Sequence, residues 1–225
     1  MRTSKGETAP FLSGVILAAG AASRMGRPKQ LLLLEGRPLL QHVLDEAVAS
    51  CLDEIIIVLG CQAPEIRDAI RIDARRGVHV AVNADYARGQ STSLRAGLRA
   101  ASPRAAAAAI LLGDQPQVTR NLIDQVAAAF AAAGLPVARP VYVGSKGGRV
   151  PGHPVFLSRR IWPEVEKLQG DEGARSILAA HPEWLLEVPV EGEPPADIDT
   201  WQDYERAVEG EDTPTPPSPS GRGLG

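Results

Sequence analysis

Cysteine is scarce: Cys51 and Cys61 are the only two in 225 residues. Two thiols make no disulfide framework and leave no second pair for a tetrahedral zinc site, so a reducing, cytoplasmic setting is expected. Long apolar runs are absent as well. No segment approaches the ~20 residues that cross a bilayer, and the first ten residues are polar where a secretory leader would be apolar, so no membrane association is expected. Neither sign of charge dominates, with 24 Lys plus Arg against 27 Asp plus Glu. That balance argues against a chain that coats nucleic acid, so no nucleic-acid partner is expected.

What is present suits a substantial core, since 44% of the residues are hydrophobic. Short apolar runs alternate with stretches of helical period, the layout of βαβ units that build a mostly parallel sheet. Strands are predicted at Gly14 to Ala19, Glu54 to Leu59, Val78 to Val82 and Ala108 to Leu112, followed by Val137 to Val143 and Val150 to Leu157 around a glycine-rich turn at Gly144 to Gly148. Covering helices are predicted where Leu39, Leu40, Val43, Leu44, Ala47 and Val48 recur at helical spacing, again at Leu94, Leu98 and Ala101, and again at Ile123, Val126, Ala127 and Phe130. An amphipathic stretch runs from Trp201 to Val208. The fold class is therefore α/β, a Rossmann-like three-layer sandwich with a mostly parallel central sheet. Residues 13–209 form the expected single domain, between a flexible N-terminus at 1–12 and a disordered tail at 210–225 rich in proline, glycine and serine.

Ligands of open α/β sheets sit outside the carboxyl ends of the strands, which puts the loop after the first strand in a functional position. It reads Leu17-Ala18-Ala19-Gly20-Ala21-Ala22-Ser23-Arg24-Met25-Gly26-Arg27-Pro28-Lys29. Gly20 and Gly26 let backbone amides approach phosphate oxygens, and Arg24 and Lys29 supply the charge that a leaving pyrophosphate needs. The spacing is neither that of a Walker loop nor that of a dinucleotide fingerprint. Spacing alone also fits an ordinary glycine turn with Arg24 and Lys29 in solvent. The fourth strand ends in Leu111-Leu112-Gly113-Asp114-Gln115-Pro116, so the Asp114 carboxylate meets the first loop at the same sheet edge. A carboxylate there suits magnesium on a triphosphate, although Asp is also a common turn residue.

The first loop resembles the opening signature of the MobA-like nucleotidyltransferase superfamily, Leu-Ala-Ala-Gly-x-x-Ser-Arg-Met-Gly-x-x-Lys, and further matching segments extend the resemblance over about Val15 to Val208. The resemblance implies the nucleotide-diphospho-sugar transferase type of fold and a nucleotide site at Leu17, Ala18, Ala19, Gly20, Ser23, Arg24 and Lys29. It matches Asp114 to the magnesium-binding aspartate of the family. Asp197-Ile198-Asp199-Thr200 resembles the late acidic segment, which makes Asp199 the candidate second metal ligand. Asp or Thr before a helix is equally a cap. Asn83 to Gly97 resembles the nucleotide-binding Gly-x-Ser-x-Ser-Leu-x-x-Gly segment, adding Gly89 and Ser93, although the serines also suit the start of a helix. Gly152-His153-Pro154-Val155 and Gly170-Asp171-Glu172-Gly173-Ala174-Arg175 resemble the parts that shape the acceptor side in the molybdenum cofactor branch. His153 and Asp171 are thereby the acceptor-binding candidates. Since a phosphate-terminated acceptor is already ionised, His153 reads as a positioning residue rather than a base; a histidine between glycine and proline also fits a purely structural role.

The double alanine Ala18-Ala19 resembles the cytidylyltransferase branch, where guanylyltransferases more often carry a second glycine. The resemblance implies transfer of CMP from CTP to the terminal phosphate of molybdenum-molybdopterin. Mg²⁺ would sit on Asp114 and Asp199, Arg24, Lys29 and Asp114 would act in catalysis, and the product would pass to a receiving molybdoenzyme. Two alternatives stay open: another phosphorylated acceptor (the guanylyl branch, a sugar phosphate, phospholactate or methylerythritol phosphate), or a non-catalytic cofactor-insertion factor.

Overall fold

The computed structural model describes residues 10–20, 28–144, 148–195, 197–198 and 200–209. The expected N-terminal flexibility over residues 1–9, the tail at 210–225, and Ser23, Arg24 and Asp199 lie outside the described residues. Strand β1 (Leu12–Ala18) begins inside the segment predicted to be flexible. It is followed by a short antiparallel hairpin, β2 (Leu33–Leu34) and β3 (Arg37–Pro38), and by helix α1 (Leu39–Ala49). Two more strand and helix pairs come next: β4 (Glu54–Leu59) with α2 (Ala63–Ala69), and β5 (Val78–Val82) with α3 (Gln90–Ala100). Strand β6 (Ala107–Leu112) and helix α4 (Arg120–Ala133) lead into β7 (Val137–Val143), β8 (Arg149–Pro151) and β9 (Val155–Ser158). The chain ends in α5 (Trp162–Val165), α6 (Ala174–Ala180), β10 (Leu185–Glu191) and α7 (Trp201–Glu209).

Among the described residues one eight-stranded sheet runs β10-β7-β9-β6-β1-β4-β5, with β8 paired to β7. Strands β5, β4, β1 and β6 are mutually parallel, and β7 is parallel to β10, while β9 runs antiparallel between β6 and β7. The sheet is thus mixed but mostly parallel, as predicted. Its central strands alternate between two cores. Ile16 and Ala18 of β1, Ile55, Ile57 and Leu59 of β4 and Ala107, Ala109 and Leu111 of β6 pack under α1, α2 and α4. The intervening Val15, Ile56, Val58, Ala108 and Ile110 pack under α3, α5 and α6. A strand buried on both faces reads as a continuous apolar run, which is why these strands were visible in the sequence. The alanines of β6 are buried small-residue packing.

The predicted strand Val150 to Leu157 is in fact two. Gly152, His153 and Pro154 interrupt it, with a cis peptide at His153-Pro154, and Pro154 has no amide to give a ladder. The amide of Gly152 donates instead to the Pro140 carbonyl at 3.0 Å. Strand β8 therefore pairs with β7 on one side of this break, and β9 inserts between β6 and β7 on the other.

Helix α3 lies unusually close to the sheet because Gly97 has no side chain. A Cβ at Gly97 would fall 2.3 Å from Cγ1 of Val15. Alanine is the better helix former by roughly 1 kcal/mol, but overpacking costs about 1–3 kcal/mol, so the clash decides the sign. Gly97→Ala is expected to destabilise the protein in urea unfolding; an unchanged or raised midpoint would show that α3 can move away at no penalty.

Candidate nucleotidyl-transfer site

The carboxyl ends of β1, β4, β5 and β6 lie along one edge, and a cavity of ≈ 380 Å³ opens there. Gln30, only 2% exposed, fixes its first wall by donating from Nε2 to the carbonyls of Ala18 at 2.9 Å and Gly20 at 3.4 Å. The turn Lys29–Leu31 also carries Lys29 to the cavity, where its ammonium pairs with Oδ2 of Asp114 across 85 residues of sequence. Both side chains are largely buried, at 19% and 15% exposure. Burial raises the Asp114 pKa above the usual carboxylate value; Lys29 opposes that shift and is outweighed. Gly113 closes the wall, donating to the Leu17 carbonyl at 3.0 Å.

The opposite wall is the start of α3. Asn83, buried just beyond β5, donates from Nδ2 to Thr92 Oγ1 at 2.8 Å and Ser93 Oγ at 3.0 Å, and its Oδ1 accepts from the Asp85 amide at 3.0 Å. Ser93, whose Oγ accepts here, also lines the cavity. None of the serines caps α3. That end is met from a distant segment: the Ser91 amide donates to the Gly170 carbonyl at 3.0 Å, and the Gln90 amide to Asp171 Oδ1 at 3.3 Å. Gly89 makes the contact possible. Its φ is +109°, and a Cβ there would sit 2.2 Å from the Gly170 carbonyl carbon.

Beyond this seam a second cavity of ≈ 620 Å³ shares Leu17, Gln90 and Asp171 with the first. His153 lines it with Arg139 and Arg175. Burial drives the His153 pKa down to about 4, with Arg139 pushing the same way and Asp197 opposing, so the imidazole is neutral at pH 7.

The late acidic segment lies against the first loop's partner. The Ile198 amide donates to the Asp114 carbonyl at 3.4 Å, and Gln115 Nε2 to Asp197 Oδ1 at 2.7 Å. Ile198 is itself fully buried with Leu32, Leu34 and Leu39. Capping of α7 falls to Thr200 and Asp203, which exchange hydrogen bonds: Thr200 N to Asp203 Oδ2 at 2.8 Å and Asp203 N to Thr200 Oγ1 at 3.2 Å.

Among known proteins, the family model described as "MobA-like NTP transferase domain" matches residues 14–184. The chain belongs to the MobA-like NTP transferase family. It is similar to the purine catabolism protein PucB of Bacillus subtilis, 33% identical over 87% of this chain and 95% of that protein. It is similar also to the nicotine blue oxidoreductase of Paenarthrobacter nicotinovorans, 30% identical over 80% and 86%. The molybdenum cofactor cytidylyltransferase of Escherichia coli is 27% identical over 87% and 94%. The crystal structure of Rv0371c from Mycobacterium tuberculosis superposes with a TM-score of 0.76 at 34% identity, covering 90% of this chain and 100% of that one; a second structure of that protein is a manganese complex, with a TM-score of 0.72 at 33% identity over 90% and 100%.

For a MobA-like chain the sequence-predicted residues converge well. Leu17, Ala18, Ala19, Gly20, Lys29, Gly89, Ser93 and Asp114 all line the first cavity, His153 lines the second, and Asp171 lines both. Sequence reasoning missed Gln30, Gln90, Asn83 and Arg139. Gln30 adjoins Lys29 in the family signature, a signal that was available; nothing local marks Arg139.

The neutral His153 yields a pH prediction. An unfolded histidine titrates near 6.5 and this one near 4, so between those values the unfolded chain binds the extra proton and stability falls as pH falls. The full window is worth on the order of 3 kcal/mol. His153→Gln should flatten that part of the stability profile between pH 7 and pH 4.5 in urea titrations. Equal losses in variant and wild type would remove His153 as the cause.

Proposed function

We propose that this MobA-like protein transfers CMP from CTP to the terminal phosphate of a molybdopterin-type acceptor and releases pyrophosphate. The observation that carries the reading is the pair of adjoining cavities, one walled by Lys29, Asp114 and Ser93 and the other far roomier, which meet at Leu17, Gln90 and Asp171. A cavity of ≈ 620 Å³ suits an acceptor with a bulky head better than a small phosphorylated acid such as phospholactate. The similarity to the Escherichia coli cytidylyltransferase supports the same acceptor. A cytoplasmic setting fits the free thiols of Cys51 and Cys61, and no described helix is long and apolar enough to cross a membrane.

In the reaction, an acceptor phosphate oxygen attacks the α-phosphorus of the triphosphate. A new P–O bond forms there as the bond to the bridging oxygen of the β-phosphate breaks, and that oxygen leaves with pyrophosphate. The acceptor is ionised at neutral pH, so no base is required, and the protein's work is positioning and charge. Lys29 and Arg24 balance the charge that grows on pyrophosphate. Ser93 offers its hydroxyl to the base, and the methyl of Ala19 favours a pyrimidine over a purine by about 1–3 kcal/mol.

A divalent metal fits the residues present. Asp114 is a buried carboxylate whose burial outweighs the Lys29 ammonium, so a further positive charge at the cavity relieves it. No group of three or more His, Cys, Asp or Glu that could hold an ion occurs among the described residues, which suits Mg²⁺ arriving on the triphosphate with one or two carboxylates to meet it. Asp114, with Asp199, would hold it, and when bound it supplies charge neutralisation on the phosphates.

Lys29→Ala and Asp114→Ala are each expected to lower turnover by about 10²–10³-fold with the circular dichroism spectrum intact. Near wild-type turnover in either would sink the assigned roles. Asp199→Ala should raise the Mg²⁺ concentration needed for half-maximal activity, and an unchanged requirement would strike it from the metal set. The reading as a whole is tested by pyrophosphate release from CTP, GTP, ATP and UTP with Mg²⁺ and freshly prepared molybdenum-loaded molybdopterin. Acceptor-dependent release with CTP alone is expected; release with GTP moves the protein to the guanylyl branch, and silence with all four excludes this acceptor.

A further inference from the structure

Among the described residues, the walls of the two cavities share Leu17, Gln90 and Asp171. Leu17 is apolar, so the shared polar surface is one carboxamide and one carboxylate. The cations of the described walls belong to one cavity or the other: Lys29, paired with Asp114, to the first, and Arg139 and Arg175 to the second. Arg139 is itself held by Glu187, and Glu172 of the second cavity has one oxygen on the Gln169 amide at 2.9 Å. The shared wall therefore carries a negative charge and, among the described residues, no cation. Such a wall repels phosphate and accepts hydrogen bonds from hydroxyl groups.

Both side chains are exposed, so a ligand in the first cavity reaches them. Asp171 is held by one oxygen only. Its Oδ1 accepts from the Gln90 amide at 3.3 Å, while the Ser91 amide fastens the preceding Gly170 through its carbonyl at 3.0 Å. Oδ2 of Asp171 has no hydrogen-bond partner among the described residues, and neither does the Gln90 carboxamide. Oε1 of Gln90 lies 3.4 Å from where a Cβ on Gly173 would stand, so this side chain reaches from α3 toward the turn that carries Asp171. An ionised carboxylate only accepts, whereas a carboxamide brings two donors and an acceptor. The pair complements two vicinal hydroxyls, each of which donates and accepts.

In the transferase reading above, Ser93 meets the base of the nucleotide and Lys29 its phosphates. The sugar that joins them needs polar wall of its own. Other polar groups of the first cavity are engaged: Gln30 Nε2 is on the Ala18 and Gly20 carbonyls, Asp114 is on Lys29, and the Tyr86 hydroxyl is on Cys61. Resting on that reading, we infer that Asp171 and Gln90 grip the ribose of the nucleotide and select it over 2′-deoxyribose. Oδ2 of Asp171 accepts from the 2′-hydroxyl, and Nε2 of Gln90 donates to the neighbouring 3′-oxygen. Asp171 thus serves the sugar and not the acceptor.

The test is calorimetric titration of CTP and of dCTP, each with Mg²⁺, into wild type, Asp171→Ala and Gln90→Ala, with molybdopterin KM measured in parallel. Wild type should bind CTP about 10–100-fold more tightly than dCTP, the loss expected for one hydrogen bond to a charged group. Asp171→Ala should bring that ratio to within about threefold by weakening CTP, with dCTP changed by less than about threefold. Gln90→Ala should weaken both nucleotides and keep most of the ratio, since each retains its 3′-hydroxyl. Equal binding of CTP and dCTP by wild type overturns the inference. So does an Asp171→Ala protein in which both nucleotides weaken together, which would mean that Asp171 only fastens the seam. A raised molybdopterin KM in Asp171→Ala with the nucleotide ratio intact would return Asp171 to the acceptor. If GTP binds in place of CTP, the same ratio is read with GTP and dGTP. A wild type that shows the ratio but gives no transfer to molybdopterin loses the acceptor reading and keeps this inference; one that binds no nucleoside triphosphate loses both.

Discussion

The pairing of Lys29 with Asp114 is the interaction around which the rest of the site is arranged. Two charges withdrawn from water are a poor source of stability, because desolvation offsets much of their attraction. Breaking such a pair by removing one partner is worse, since it leaves a buried charge without compensation. The surrounding architecture holds both ends in place. Gln30 fixes the strand-to-turn path through the Ala18 and Gly20 carbonyls, and Leu32, Leu34 and Leu39 bury the segment that follows against Ile198. Tyr204 of α7 ties the same segment down, donating from its hydroxyl to the Leu33 carbonyl at 2.6 Å. The last described helix thus supports the segment that follows Lys29, and Ile198 links that support to the backbone of Asp114.

A similar economy joins the two cavities. The amides at the start of α3 need acceptors, and they find them in Gly170 and Asp171 rather than in the serines beside them. The hydroxyls of Thr92 and Ser93 accept from Asn83 instead, and Ser93 lines the first cavity. Arg95 reinforces the seam with a hydrogen bond to the Leu168 carbonyl. Because Asp171 and Gln90 line both cavities, any shift of the segment around Gly170 changes the walls of the two together.

How much of this was legible follows from what each element buries. Glu54–Leu59 was predicted to the residue, since an interior parallel strand reads as an unbroken apolar run bounded by polar turns, and the edge strand Val78–Val82 was predicted to the residue from its short, mostly apolar run. Strand β10 was missed because its Glu187 and Pro189 break the apolar pattern. Helices α2 and α6 have seven residues each, too few to declare a period. In the site, Lys29 and Asp114 stood out because the chemistry of a triphosphate demands charge at the strand ends. Gly89 stood out as a motif glycine, but its contact with Gly170 joins two distant stretches of the chain and left no local trace.

Arg139 is the sharpest case of what a one-dimensional pattern hides. In sequence it is a single cation inside an apolar strand, flanked by Ala138 and Pro140, and the natural expectation is a side chain turned to solvent. Its environment is instead set by three separate stretches: Glu187 from the neighbouring strand, Arg149 from the β7–β8 hairpin, and the Gly152-His153-Pro154 break that ends β8 and brings His153 to the same cavity. The break that defeated the prediction of one long strand is also what opens the sheet there. A continuous strand over residues 150–157 would have carried side chains alternately up and down across that space. Interrupting it brings the neutral imidazole of His153 to the cavity that Arg139 also lines, a meeting that no spacing in the sequence announces.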